Sequence, residues 1–233
     1  MSIAEKFKAV EARVAAAAER SGRTRSDITL IAVTKTHPVS MMNEAIEAGA
    51  LDIGENKPQE VRDKYSGVLP VRWHLIGHLQ TNKVKYVIDK CCMIHSVDSI
   101  KLMDEIERLA EAHDTVMDIL IQVNIAGEES KSGIRPDELD EILTHASELK
   151  RVKVKGLMTI IPASVNQEDN AVWFRKMKEL YDSTADKIDS YRNVTMEYLS
   201  MGMSGDFETA IECGSNMVRV GSAIFGARDY NKV

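Results

Sequence analysis

Eight short apolar runs, separated by longer amphipathic segments, constrain the fold of this chain more than any other feature. The runs are residues 28–33, 51–53, 71–76, 93–97, 117–123, 152–158, 195–199 and 217–220. The segments between them repeat apolar residues at the 3.6-residue spacing of a helix with one buried face. Strands that are apolar throughout and alternate with helices are typical of a parallel sheet covered on its faces.

A closed barrel is the arrangement that this alternation predicts. Dividing 233 residues over eight strand–helix units gives under 30 residues each, the short end of the (β/α)₈ range, whereas a doubly wound sheet usually has fewer strands and a Gly-rich first turn. Apolar residues at Ile3, Phe7, Val10 and Val14 predict an extra N-terminal helix. No linker interrupts the chain, so we predict a single α/β domain over residues 1–233, a (β/α)₈ TIM barrel.

Composition argues against several classes of partner. Lys plus Arg total 30 against 36 for Asp plus Glu, which disfavours nucleic acid or an anionic membrane as the main partner. No apolar stretch approaches the ~20 residues that span a bilayer. Three cysteines, Cys91, Cys92 and Cys213, fit neither a disulfide framework nor a metal site. We therefore expect a cytoplasmic protein with no metal, and we interpret Cys91 and Cys92 as buried thiols.

Lys35 is the most informative single residue. Functional side chains of (β/α)₈ barrels lie at the carboxyl ends of the strands, and Lys35 closely follows the first apolar run. Partial desolvation at a barrel mouth frees a lysine amine to attack a carbonyl. A lone lysine at a strand end is more often a surface residue, so this interpretation depends on its neighbours.

Two small-residue loops provide those neighbours. They are residues 200–205 and 221–223, which follow the seventh and eighth runs, where barrels commonly bind phosphate through backbone N–H groups. Residues 221–226 have the Gly spacing of a P-loop but lack its Lys and Ser/Thr. Either loop alone is compatible with a tight turn that needs a positive φ. Together with Lys35, they indicate a ligand that has both a phosphate and an aldehyde.

Other candidates give weaker signals. His74 and His78 share one side of a strand without a helical metal-binding motif, so we do not expect them to bind a metal. His95 is interpreted as a core or rim histidine at a strand end. The charged loop 128–133 follows the fifth run and contains Lys131, a second lysine at the same rim.

Seven separated motifs occur in order along nearly the whole chain. They are residues 32–36, 54–56, 74–83, 131–133, 156–159, 200–204 and 219–226. In this set the chain resembles the YggS/PROSC family of pyridoxal phosphate homeostasis proteins. The resemblance implies a single barrel like the N-terminal domain of alanine racemase, which holds pyridoxal 5′-phosphate (PLP) as a Schiff base without established catalytic turnover. It also implies a monomer whose partners are PLP and apo PLP-dependent enzymes.

The resemblance also implies roles for individual residues. Lys35 is the Schiff-base lysine, and Arg219 faces the pyridine nitrogen. Ser200, Gly202, Gly221 and Ser222 hold the phosphate, and Asn56, His78 and Met158 lie around the ring. Many members have a second lysine two positions after the first, where this chain has His37. The role of that neighbouring amine in PLP transfer is therefore not carried over, although Lys131 is retained.

Arg219 favours a carrier over an enzyme. PLP is an electron sink when its pyridine nitrogen is protonated, usually opposite a carboxylate, and a guanidinium accepts no proton at neutral pH. A racemase also needs a second base, which we expect to be missing because no further domain is expected after Val233. Three alternatives stay open: a PLP-dependent amino-acid racemase or decarboxylase, a PLP-independent Schiff-base aldolase, and a regulatory protein that uses PLP only as a sensor.

Overall fold

Eight parallel strands close into a barrel in sequence order. The computed structural model describes residues 1–128, 131–162 and 166–226. The strands are β1 Thr29–Val33, β2 Asp52–Glu55, β3 Arg72–Leu75, β4 Met93–Val97, β5 Met117–Gln122, β6 Val152–Met158, β7 Val194–Ser200 and β8 Met217–Val220. Pairing of β1 with both β2 and β8 closes the sheet. The predicted (β/α)₈ TIM barrel is confirmed.

Helices surround the barrel, and the predicted N-terminal helix precedes the first strand. The α-helices are α1 Ile3–Arg20, α2 Val39–Glu47, α3 Pro58–Lys64, α4 Ile100–Ala112, α5 Leu139–Ala146, α6 Gln167–Ala185, α7 Phe207–Glu212 and α8 Ser222–Phe225. Single turns of 3₁₀ helix occur at Arg25–Asp27, Tyr65–Gly67, Pro136–Glu138 and Ile188–Ser190, and a longer one spans Thr81–Tyr86. No helix in the described ranges is long and apolar enough to cross a membrane.

The sequence explains why α1 begins where it does and which face it buries. The Ser2 hydroxyl accepts from the Glu5 N–H at 3.1 Å, and the Glu5 carboxylate accepts from the Ser2 N–H at 2.8 Å. These two reciprocal hydrogen bonds satisfy two backbone N–H groups that otherwise have no partner at the start of a helix. The apolar stripe, including Phe7 and Val10, is buried, and the helix packs against α7 and α8.

The alternation of side chains along each strand separates two apolar clusters. On β1, Leu30 and Ala32 point outward and join the large cluster between barrel and helices, whereas Ile31 points inward. The inner cluster consists of Ile31, Met93, Leu120, Met158 and Met217. Buried polar side chains occupy other inward positions, among them Asp52, His74 and Arg219. The barrel interior is therefore partly polar.

The second strand differs from its prediction. The apolar pattern predicts it over residues 51–53, but it runs over Asp52–Glu55 and leaves Leu51 70% exposed. An apolar pattern misplaces this strand because two of its four residues are buried carboxylates that have partners inside the protein. The single domain over residues 1–233 stays a prediction, since its last residues lie outside the described ranges.

Candidate functional site

A cavity of about 550 Å³ opens at the carboxyl ends of the strands. This volume is within the range of small-molecule sites, roughly 300–1,000 Å³. Its lining includes Lys35, His37, Asn56, Gly77, His78, Gln122, Lys131, Ser132, Met203, Ser204, Arg219, Gly221 and Ser222. Six of the nine predicted site residues are therefore brought together: Lys35, Asn56, His78, Arg219, Gly221 and Ser222.

The turn after β1 holds Lys35 at the cavity. On one side of Lys35, the Thr34 N–H donates to the Gly54 carbonyl at 3.0 Å, and the Thr34 hydroxyl donates to Glu55 Oε1 at 2.8 Å. On its other side, Thr36 has a φ of 66°, a left-handed conformation that costs energy in a β-branched residue. The Thr36 N–H donates to Glu60 Oε2 at 2.8 Å, so hydrogen bonds on both sides fix the backbone from which the Lys35 amine projects.

A buried ionic cluster lies behind this turn. Lys64 Nζ is 2.9 Å from Glu55 Oε1 and 2.6 Å from Glu60 Oε2. Burial raises the pKa of Glu55 to about 7, against the opposing effects of Lys64 and Thr34. For Glu60, burial acts to raise the pKa, but hydrogen bonds from Lys64 and Thr36 outweigh it and lower the pKa. Among the described residues, Glu55 Oε2 has no hydrogen-bond partner.

Arg219 reaches the cavity from the barrel interior. Its residue is 4% exposed, its Nη1 donates to the Ser200 hydroxyl at 2.6 Å, and its Nη2 donates to the Thr159 carbonyl at 2.9 Å. Burial lowers the pKa of Arg219 to about 10, so the guanidinium is charged at neutral pH. The two bonds fix its plane, and Arg219 still lines the cavity.

Ser204 joins the two small-residue loops. Its hydroxyl oxygen accepts from the Gly221 N–H at 3.1 Å and from the Ala223 N–H at 3.3 Å. Gly221 itself packs closely, since a Cβ there would lie 3.2 Å from Val33 Cβ. Ser204 belongs to the motif at residues 200–204 but is not among the predicted site residues. The sequence feature that could have identified Ser204 as a site residue is its position next to Gly205 in the same small-residue loop.

Three predicted site residues do not line the cavity. The Ser200 residue is fully buried, and its hydroxyl contacts Arg219 and His95 Nδ1, the latter at 3.2 Å. Gly202 has a φ of 95°, and a Cβ there would lie 2.6 Å from Ala210 Cβ, so it allows the loop to pack on α7. Met158 belongs to the inner apolar cluster. Ser200 and Met158 are the last residues of β7 and β6 and lie below the rim, so the roles of these three residues at a ligand stay predictions.

The remaining rim residues lie where the motifs placed them. The His78 side chain is 57% exposed, with Nδ1 3.7 Å from Asp98 Oδ2. Lys131 Nζ donates to the Ile161 carbonyl at 3.2 Å, and His37 stacks on Phe225 with ring centroids 5.0 Å apart. Glu129 and Ser130 of the charged loop lie outside the described residues.

The cysteine prediction is half wrong. Cys91 is buried, but Cys92 is exposed, because it directly precedes β4 at the other end of the barrel. Its sulfur donates to the Trp73 carbonyl at 3.2 Å and lies 3.6 Å from His74 Nε2. Within the described ranges, no three His, Cys, Asp or Glu side chains are grouped as metal ligands.

Comparisons with known proteins agree with this geometry. The family model described as alanine racemase, N-terminal domain, matches residues 6–229. The pyridoxal phosphate homeostasis protein of Aquifex aeolicus is 44% identical over 232 residues, which cover 99% of this chain and all of that protein. PipY of Synechococcus elongatus, solved with PLP bound, is 29% identical with a TM-score of 0.83, covering 97% of this chain and 100% of that chain.

An alanine racemase of Streptomyces lavendulae shares the fold alone. It is 20% identical with a TM-score of 0.73, and the match covers 95% of this chain but 58% of the racemase. The barrel is thus of the alanine racemase N-terminal class. Within that class, the chain belongs to the family of pyridoxal phosphate homeostasis proteins, whose names state no enzymatic activity.

Proposed function

We propose that this protein binds PLP in the rim cavity and buffers or delivers it without catalytic turnover. The observation on which the proposal depends is the convergence of a lysine, a buried arginine and two linked small-residue loops on one cavity. The PLP-bound structure of PipY supports it, as do relatives described as pyridoxal phosphate homeostasis proteins.

The residues present fit the functional groups of PLP. The Lys35 amine is the nucleophile for the aldehyde. The N–H groups of Gly221 and Ala223 already converge on one oxygen, that of Ser204, so the same donors suit a phosphate oxygen. Ser204 and Ser222 add hydroxyl groups beside them. Asn56 and His78 would flank the ring, and Arg219 would face its nitrogen.

Arg219 explains why we assign a carrier. When bound, PLP supplies an electron sink whose strength depends on protonation of its pyridine nitrogen. Arg219 is a charged donor at neutral pH, and it offers that nitrogen a hydrogen bond rather than an acceptor for its proton. Such a partner favours holding the ligand over stabilising a carbanion. We propose apo PLP-dependent enzymes as recipients, a monomeric state and a cytoplasmic location, the last from the cysteine content.

Borohydride trapping tests the assignment of Lys35. Reduction of the PLP-loaded protein, followed by peptide mapping, is expected to place the pyridoxyl group on Lys35. The matched variant is Lys131→Ala, which removes the other lysine of the cavity and should leave the labelling of Lys35 intact. Labelling of Lys131 instead of Lys35 would refute the assignment.

Proton exchange tests the absence of turnover. Deuterium exchange at the α-carbon of amino acids should be slow with stoichiometric protein, and PLP should transfer to an apo-enzyme. Multiple-turnover exchange at enzyme-like rates, on the order of 1 s⁻¹ or faster, would favour the racemase alternative.

A further inference from the structure

A chain of hydrogen-bonded side chains crosses the barrel interior and ends at Arg219. Asp52 Oδ1 is 2.8 Å from His74 Nε2, and His74 Nδ1 is 3.0 Å from His95 Nε2. His95 Nδ1 is 3.2 Å from the Ser200 hydroxyl, which accepts from Arg219 at 2.6 Å. All five residues are 4% exposed or less. Five different strands contribute to this chain, so the barrel itself holds the spacing.

The other end of the chain meets solvent at the amino-terminal end of the barrel. Arg72 Nε and Nη2 donate to the two carboxylate oxygens of Asp52 at 2.7 and 2.6 Å, and the Arg72 side chain is 61% exposed. The exposed Cys92 lies beside His74 at the same end. The chain therefore joins one end of the barrel to the cavity at the opposite end.

The donor and acceptor rules allow two directions for these bonds. Asp52 as a carboxylate only accepts, so His74 Nε2 has a hydrogen in both cases. If His74 is also protonated at Nδ1, it donates to His95, and His95 donates to Ser200. If His74 Nδ1 is bare, it accepts from His95 Nε2, and His95 Nδ1 then accepts from the Ser200 hydroxyl. Ser200 accepts from Arg219 in both cases, because a guanidinium only donates.

We propose that the protonation state of His74 sets the direction of the two central hydrogen bonds of this chain, His74–His95 and His95–Ser200, and that His74 and His95 are positioning residues for Arg219. With His74 charged, Ser200 accepts from both His95 and Arg219, and its own hydrogen is not used in the chain. With His74 neutral, that hydrogen is given to His95. One proton at the solvent end thus changes the bonding of Ser200 beneath the cavity.

Electrostatics favour the first direction at neutral pH. Burial acts to lower the pKa of His74, but hydrogen bonds to Asp52 and Cys92 outweigh it and raise the pKa to about 9. Burial, with His74 and Arg219, holds the pKa of His95 well below its ordinary value. Three titratable groups contact His74 directly: Asp52 on β2, Cys92 just before β4, and His95 on β4. Arg72 on β3 pairs with Asp52, and Tyr198 on β7 interacts electrostatically with Arg72.

The coupling between the protonation of His74 and PLP binding rests on the proposed function. A bound PLP phosphate adds negative charge at the cavity, which favours the charged form of His74 through the low-dielectric interior. Coupling between two sites is reciprocal, so the state of His74 must in turn affect PLP affinity. We therefore expect PLP to raise the pH at which His74 titrates.

Nitrogen NMR of the histidines tests the direction of the chain in the ligand-free, full-length protein. At neutral pH, His74 should be protonated on both nitrogens and His95 on Nδ1 only. As the pH rises through about 9, His74 should lose its Nδ1 proton, and His95 should change to the Nε2-protonated tautomer with the same midpoint. A single tautomer of His95 over this range, or a different midpoint, would overturn the proposal.

Two variants at the solvent-exposed end of the chain test what raises the pKa of His74. Asp52→Asn removes the anion beside His74 and should move both midpoints to lower pH together. Cys92→Ala is a milder change at an exposed residue and should give a smaller shift in the same direction. His145, which pairs with Asp104 at 2.6 Å on the surface, is the control, and its NMR signals should be the same in both variants as in the parent protein. If neither variant moves the His74 midpoint, the assigned cause is wrong.

Added PLP separates this proposal from the proposed function. An upward shift of the His74 midpoint when PLP binds, monitored by its absorption band, would support the coupling. Binding without a shift would overturn the coupling to the cavity. If PLP does not bind, the proposed function fails, whereas the tautomer change in the ligand-free protein stands on its own.

Discussion

The Thr36 N–H donates to Glu60 Oε2 at 2.8 Å, and this bond ties the turn beside Lys35 to helix α3. Because Thr36 has a positive φ, the turn depends on such contacts to stay in place. Glu60→Ala also removes an ionic partner of Lys64. We expect a loss of roughly 1–3 kcal/mol in the free energy of unfolding and slower borohydride trapping at Lys35.

The control for Glu60 is on the same helix. Asp63→Ala removes an exposed carboxylate that pairs only with its neighbour Arg62 among the described residues, and it should leave stability and trapping nearly unchanged. Urea denaturation and timed trapping measure both effects. Equal behaviour of the two variants would show that the turn does not depend on Glu60.

Glu55 makes stability fall as the pH rises. Its pKa is about 7 in the folded protein against 4.5 for an unperturbed glutamate, so between these values the folded state binds more protons than the unfolded state. The free energy of unfolding should then decrease by on the order of 3 kcal/mol over this window. Urea denaturation at mildly acidic and neutral pH should show the decrease, and Glu55→Gln should remove most of it.

Loss of a proton from His74 extends the decrease in the free energy of unfolding to higher pH. Its pKa is raised to about 9 from 6.5, so its contribution is fully present below about 6.5 and is lost as the pH rises through about 9. Thermal unfolding at neutral and alkaline pH should show a falling Tm. Asp52→Asn should flatten this part of the profile, and an unchanged slope would contradict the assignment.

Ser204 should matter to PLP affinity at the cavity. Ser204→Ala removes a hydroxyl that joins the two loops, and a hydrogen bond to a charged group is worth about 1.5–3 kcal/mol, or roughly 10- to 150-fold in affinity. Ser222→Ala should act in the same direction. Ser183→Ala on the exposed face of α6 is the control. Equilibrium binding followed by absorption measures all three, and unchanged affinity in both cavity variants would place the phosphate elsewhere.

Sequence periodicity was sufficient for the barrel and for the rim position of Lys35, whereas Arg219 was assigned through the family resemblance. It did not separate Ser200 from Ser204: the sequence predicts both in one loop, residues 200–205, but Ser200 is the last residue of β7 and has different surroundings. The difference depends on where β7 ends and on the shift of register between β6 and β7 near Gly156, and neither is visible in residue type.

The hydrogen-bonded chain through His74 and His95 could not be predicted from the sequence for a related reason. Alternation along a strand places His74 and His95 on the inner face, but contact between them depends on the stagger of β3 against β4, where His74 pairs with Met93. Ser200 is 105 positions further along the chain than His95. Partners this distant in sequence are set by closure of the whole barrel.

The hydrogen bonds by which Ser204 links the two loops also affect the release of a bound ligand. Backbone N–H groups that have held a phosphate lose a strong acceptor when the ligand leaves, and buried donors without a partner are costly. In the ligand-free protein the Ser204 hydroxyl accepts from Gly221 and Ala223, so it acts as a built-in substitute for the departed oxygen. The same hydroxyl therefore serves both states, since its oxygen satisfies the two N–H groups in the empty protein and its hydrogen is available to donate to the phosphate in the loaded one.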